Sequence, residues 1–132
     1  LRTATEELIK NDSDVYDFIS YDKSITEEYL RNQTKKILNK KTVDTNGVII
    51  ARCFQDVEHY VLITKIDDNF AYIFDPYYLE EDYYYDDEDV AIVLHETFTH
   101  NRVVKIERLF TEENKDFSLL KESDREVILI NR

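Results

Sequence analysis

The spacing of hydrophobic positions changes once along this chain, at Asn46 and Gly47. Before the break the spacing is helical. TATEELIKN places Thr3 and Glu6 three apart, and SITEEYLRNQTKKILNK does the same with Ser24 and Glu27, the reciprocal arrangement that satisfies the first free amides of a helix. Ile25, Tyr29, Leu30, Ile37 and Leu38 then fall on one stripe of the second helix, with Ser24 as its cap. The stretch NDSDVYDFISYDK between the two helices fits neither period well, and its state is left open. After Gly47 the period becomes that of strands. GVIIARCF, HYVLITKI, FAYIFD, DVAIVLH, RVVKIERLF and REVILINR are rich in β-branched and aromatic residues and are divided by short polar breaks. Helices first and antiparallel strands afterwards predict an α+β domain rather than a βαβ repeat, with a helical part over 1–46 and a sheet part over 47–132.

The length of 132 residues suits a single domain with one core. DPYYLEEDYYYDDEDV, residues 75–90, is the one biased segment: eight carboxylates and five tyrosines with no Lys or Arg predict a long loop, solvated by its charges and pinned by its rings. The formal net charge of -12 argues against nucleic acid, whose phosphates need a basic surface. Arg31, Lys35, Lys36, Lys40 and Lys41 are a local exception, read as cations complementing a helix C-terminus. No apolar run is long enough for a membrane span. The single cysteine, Cys53, rules out an internal disulfide and a cysteine-rich zinc site, and leaves the compartment open with the cytoplasm the slightly better fit. His95 and His100 stand one residue too far apart for a HExxH helix, the acidic run at Asp86 lacks the glycine of a calcium loop, and one glycine cannot build a phosphate cradle. No metal and no cofactor are expected.

The pair that invites chemistry is His59 and Asp75. A three-residue hairpin loop at Asp67, Asp68 and Asn69, with Asn69 left-handed, sets Ile66 opposite Phe70 and Val61 opposite Asp75. His59 then becomes a diagonal neighbour of Asp75 on the same face, whereas a two-residue loop would send the two to opposite faces. Pro76 fixes Asp75 at the end of its strand. An imidazole held by a carboxylate is the base and orienter of a nucleophilic triad, and a polar pair at a sheet rim is the plainer alternative. With Gln55 to Glu58 as a four-residue loop, Cys53 points away from His59 and is a small buried hydrophobe, whereas a loop one residue longer or shorter would bring it to the face of His59.

GVIIARCFQDVEHYVLITKIDDNFAYIFDP, residues 47–76, resembles the second half of the papain-like cysteine peptidase domain that removes double-glycine leader peptides from bacteriocins, found in many bacterial proteins. The resemblance rests on His59 opening HYVLI after a VIIAR strand, and on Asp75 closing the next strand in a DP pair. It implies a papain-like fold, a peptide or protein substrate, His59 as general base and Asp75 as its orienting carboxylate. The chain departs from the family upstream: between Leu1 and Gly47 there is neither a cysteine at a helix start nor the glutamine that precedes it. Two readings follow. Either the nucleophile lies outside this chain, in an upstream segment or a second chain, with which the start at Leu1 and the lack of Met agree, or the domain is catalytically inactive and binds peptides or proteins.

Overall fold

The computed structural model describes residues 17–19, 25–37, 48–77, 79–94 and 100–131. It is an α+β fold. Among the described residues seven strands form one antiparallel sheet: β1 (Asp17–Ile19), β2 (Val48–Gln55), β3 (Val57–Ile66), β4 (Phe70–Phe74), β5 (Val90–Ile92), β6 (Arg102–Lys105) and β7 (Val127–Asn131), in the spatial order β1-β7-β2-β3-β4-β6-β5. The α-helices among the described residues are α1 (Glu27–Ile37) and the short α2 (Ile106–Leu109). The TATEELIKN helix expected near the chain start lies outside the described residues. Within the portion read as helical, β1 is a strand that pairs with β7. Among the described residues no helix is long and apolar enough to cross a membrane.

Helix α1 lies where SITEEYLRNQTKKILNK predicts it, but its cap is Thr26. The Tyr29 amide donates to Thr26 Oγ1 at 3.0 Å, and the Leu30 amide makes the first helical bond to the Thr26 carbonyl. Ser24 lies outside the described residues. Glu27 and Glu28 in the first turn and Lys35 and Lys36 in the last complement the helix dipole. Arg31 donates to Glu27 one turn earlier and to the carbonyls of Asp67 and Asp68, tying α1 to the far end of β3 from His59.

The core lies on one face of the sheet, because strand alternation sends every second side chain there. Ile49, Ala51 and Cys53 of β2, Val61 and Ile63 of β3, Ala71 and Ile73 of β4, and Val127 and Leu129 of β7 share one cluster with Ile25 and Leu30. Burial of each large aliphatic side chain contributes about 1.5–3 kcal/mol. RVVKIERLF is a strand only to Lys105. Ile106 and Leu109 are both buried, a spacing of three that one helical turn serves and a strand does not. From there the chain returns over the core, with Phe117 and Leu119 buried and the Phe54 and Phe117–Ser118 backbones exchanging hydrogen bonds. Phe117 and Leu120 take φ of 72° and 66°, costly for bulky residues, so the surrounding bonds must hold them there. Arg125 joins these pieces by donating to the carbonyls of Ile25, Phe110 and Leu120.

Candidate functional site

Two turns decide what can meet on the core face. The first, between β2 and β3, is tighter than the four-residue loop expected: Gln55 stays in register with Val57, and Asp56 alone reverses the chain at φ 61°. Aspartate tolerates this left-handed conformation better than most residues. The consequence is that Cys53 pairs directly with His59, so the two share a face. The expectation that Cys53 points away from His59 is therefore corrected.

The second turn, between β3 and β4, has two central residues rather than three. The Asp67 amide donates to the Phe70 carbonyl, Ile66 lies opposite Ala71, and Asn69 is not left-handed. Alone, this would put His59 and Asp75 on opposite faces. A bulge at Thr64, between the Ile63 and Lys65 pairs, inserts the residue that restores the parity, and Leu62 again faces Phe74. Val61 is thus carried to the level of Asp75, the position that the simpler loop had reached by another route.

His59 and Asp75 do meet: Nε2 lies 2.7 Å from Asp75 Oδ1. The carboxylate is 1% exposed and is bound on all sides. Oδ1 also accepts the Tyr77 amide at 2.9 Å, and Oδ2 accepts the Gln55 side-chain amide at 2.9 Å. Its backbone is clamped by Asn101, whose Oδ1 accepts the Asp75 amide and whose Nδ2 donates to the Asp75 carbonyl. Against an ionised carboxylate, Nε2 must carry the proton to donate, which leaves the Nδ1 lone pair as the ring's basic atom. The His59 side chain keeps 22% exposure, so the ring bridges the buried carboxylate and the surface.

Beside Asp75 opens a cavity of about 380 Å³, within the roughly 300–1,000 Å³ usual for small-ligand sites. Its walls include Tyr77, Tyr83, Tyr84, Arg102 and Asp116. Arg102 is 2% exposed. It donates to the carbonyls of Asn101 and Tyr77, while its Nε has no partner among the described residues. Burial lowers its pKa, and the charge of Asp75 opposes that. Tyr84 donates its hydroxyl to Asp116 Oδ2 at 2.7 Å and leans on Phe117; burial and that hydrogen bond push its pKa far up. Asp87 and Asp89 of the acidic segment are paired with Arg108.

Cys53 is 3% exposed, and burial, then the charges of Asp75 and Asp116, push its thiol up to about 12. A thiol with that environment is not an activated nucleophile. His100, set aside as a ligand on its spacing, packs its ring edge-on against Tyr72 with centroids 5.0 Å apart. His95 lies outside the described residues. The sequence reading missed Gln55, Asn101, Arg102 and Asp116. One of them left a trace, since Arg102 shares the parity of Val104 and Ile106 and so is a charge at a core-facing position. Compared with family models, with curated proteins and with solved structures, the chain matches none.

Proposed function

We propose that His59 and Asp75 are the base and orienter of a cysteine-peptidase-type site acting on peptides, on a scaffold of papain-like kind resembling the leader-processing peptidases. The observation that carries this reading is the 2.7 Å bond from His59 to a buried, fully bonded carboxylate, with the ring still reaching the surface. That is the arrangement a general base needs: one nitrogen held, the other available. Nδ1 takes the proton of an attacking thiol and later returns it to the leaving amine, while Asp75 keeps the ring in one tautomer and supports the imidazolium.

The thiol comes from outside these 132 residues, because the only cysteine here is buried and protonated. The same observation favours a second reading, a peptide-binding module of the same scaffold in which the pair is structural.

Hydrolysis of a peptide library separates the two. The 132-residue chain alone cleaves nothing, because its one thiol is buried and held protonated. The complete gene product, with a cysteine supplied elsewhere in it, cleaves, and His59→Ala lowers its kcat by about 10²–10⁴. Asp75→Asn gives a smaller loss with folding retained by circular dichroism. Binding without cleavage by an intact product that carries no further cysteine establishes the module. Cleavage by the short chain contradicts the account of the missing nucleophile.

A further inference from the structure

We propose that the cavity beside Asp75 is a subsite for the side chain of a lysine or arginine in a bound peptide. This rests on reading the site as one for peptides, and names which peptides it prefers.

Charge makes the first case. Of the ionisable groups in the wall, Asp75 and Asp116 are acidic and Arg102 is basic. Arg102 commits both terminal nitrogens to backbone carbonyls, and Arg108, which donates to the Asp116 carbonyl at 3.3 Å, is ion-paired with Asp87 and Asp89, so neither cation is bonded to the Asp116 carboxylate among the described residues. Tyr84 fixes Asp116 in place through its hydroxyl. The chain between Leu79 and Tyr83, both in the wall, carries Glu80, Glu81 and Asp82 on exposed positions, so the negative potential extends around the mouth. With two carboxylates against one guanidinium in the wall and three more carboxylates at the mouth, the excess charge is negative, and such an excess at a concave site concentrates ligands of the other sign.

The rings make the second. Tyr77 and Tyr83 line the cavity yet are 63% and 65% exposed, large aromatic surfaces left open at its mouth. Aromatic faces next to carboxylates bind the stem and head of a long cationic side chain, the stem by burial and the head by cation–π attraction. The wall also keeps an unmet donor, since Arg102 is almost wholly buried and its Nε has no partner among the described residues. A peptide brings carbonyl acceptors as well as a cationic side chain, which a simple cation does not.

The test is calorimetric titration of the 132-residue chain with N-acetylated, C-amidated tripeptides Ala-Lys-Ala, Ala-Arg-Ala, Ala-Leu-Ala and Ala-Glu-Ala. The lysine and arginine peptides bind at least about tenfold more tightly than the leucine peptide, and the glutamate peptide is the weakest. Asp116→Asn removes most of that preference, and Tyr83→Ala, at an exposed position, weakens the cationic peptides severalfold with the fold unaffected. Glu88→Gln, outside the cavity wall, leaves the preference in place. Equal binding of the lysine and leucine peptides, no binding of any, or an equal loss on Glu88→Gln and Asp116→Asn overturns the subsite, the last by making attraction to the whole acidic surface sufficient. Binding is read without hydrolysis, so a cationic preference that survives His59→Ala keeps the subsite even where the catalytic reading fails.

Discussion

Cys53 and His59 are cross-strand partners, and it is burial that separates this juxtaposition from a catalytic dyad. Cβ atoms of such partners lie about 4.5–5.5 Å apart, close enough for chemistry. Yet with its pKa pushed up to about 12 by burial, and by the charges of Asp75 and Asp116 after that, on the order of one thiol in 10⁴–10⁵ is ionised near neutral pH. Iodoacetamide should therefore alkylate Cys53 of the folded chain about 100-fold or more slowly than it does the urea-unfolded chain, where the thiol titrates near its ordinary value. Rapid alkylation of the folded chain that falls on His59→Ala would make Cys53 the nucleophile and His59 its base.

The β3–β4 hairpin holds the register on which the site depends, and Asp67 organises its turn. Asp67 Oδ1 accepts the amides of Asn69 and Phe70, and Oδ2 accepts the Tyr72 hydroxyl at 2.7 Å. The Tyr72 hydrogen bond first, then the amides, hold the Asp67 carboxyl below its ordinary value. A carboxyl depressed in the folded state stabilises the fold at pH above its unfolded value, and the contribution disappears as pH falls through the folded value. Tyr72→Phe should accordingly raise the Asp67 titration midpoint and move acid unfolding to higher pH, by roughly a few tenths of a unit since the group is solvent-accessible. An unchanged acid midpoint, with the titration of Asp67 unmoved in carboxyl-detected NMR, would show that the tyrosine does not hold this turn. Hairpins of this kind are only partly legible in sequence. The alternation of HYVLITKI and FAYIFD marks two strands and one buried face, but the two-residue turn and the bulge at Thr64 each shift the register by one, and their sum is what a three-residue loop alone would have given. At Asp56 nothing compensates, and there the expected face of Cys53 was reversed. Gln55 and Asn101 stand 20 and 26 residues from Asp75 in sequence, so their contacts depend on strand order, which local patterning does not contain.

Across the whole molecule, the sheet gathers its polar groups at one place on an otherwise apolar face. β2 brings Gln55, β3 brings His59, the end of β4 brings Asp75, and the start of β6 brings Asn101 and Arg102. Buried polar groups have a cost unless each is bonded, and here Asp75 is the acceptor around which the others are arranged. The α+β architecture was legible in the sequence because it follows from the change of period at Gly47, whereas the His59 and Asp75 pair was reached through a three-residue loop that the structure replaces with a two-residue turn and a compensating bulge. The shell around the pair was not legible, because it is assembled from four strands. The central claim is that this assembly holds His59 with its proton on Nε2 and its basic lone pair on Nδ1. Long-range ¹H–¹⁵N correlation of histidine-labelled protein at about pH 8, above the ordinary histidine range, reads that state directly. The account predicts a single tautomer for His59, protonated on Nε2, which becomes a mixture in Asp75→Asn; a ring protonated on Nδ1, or one already averaging between tautomers in the unaltered protein, would contradict it.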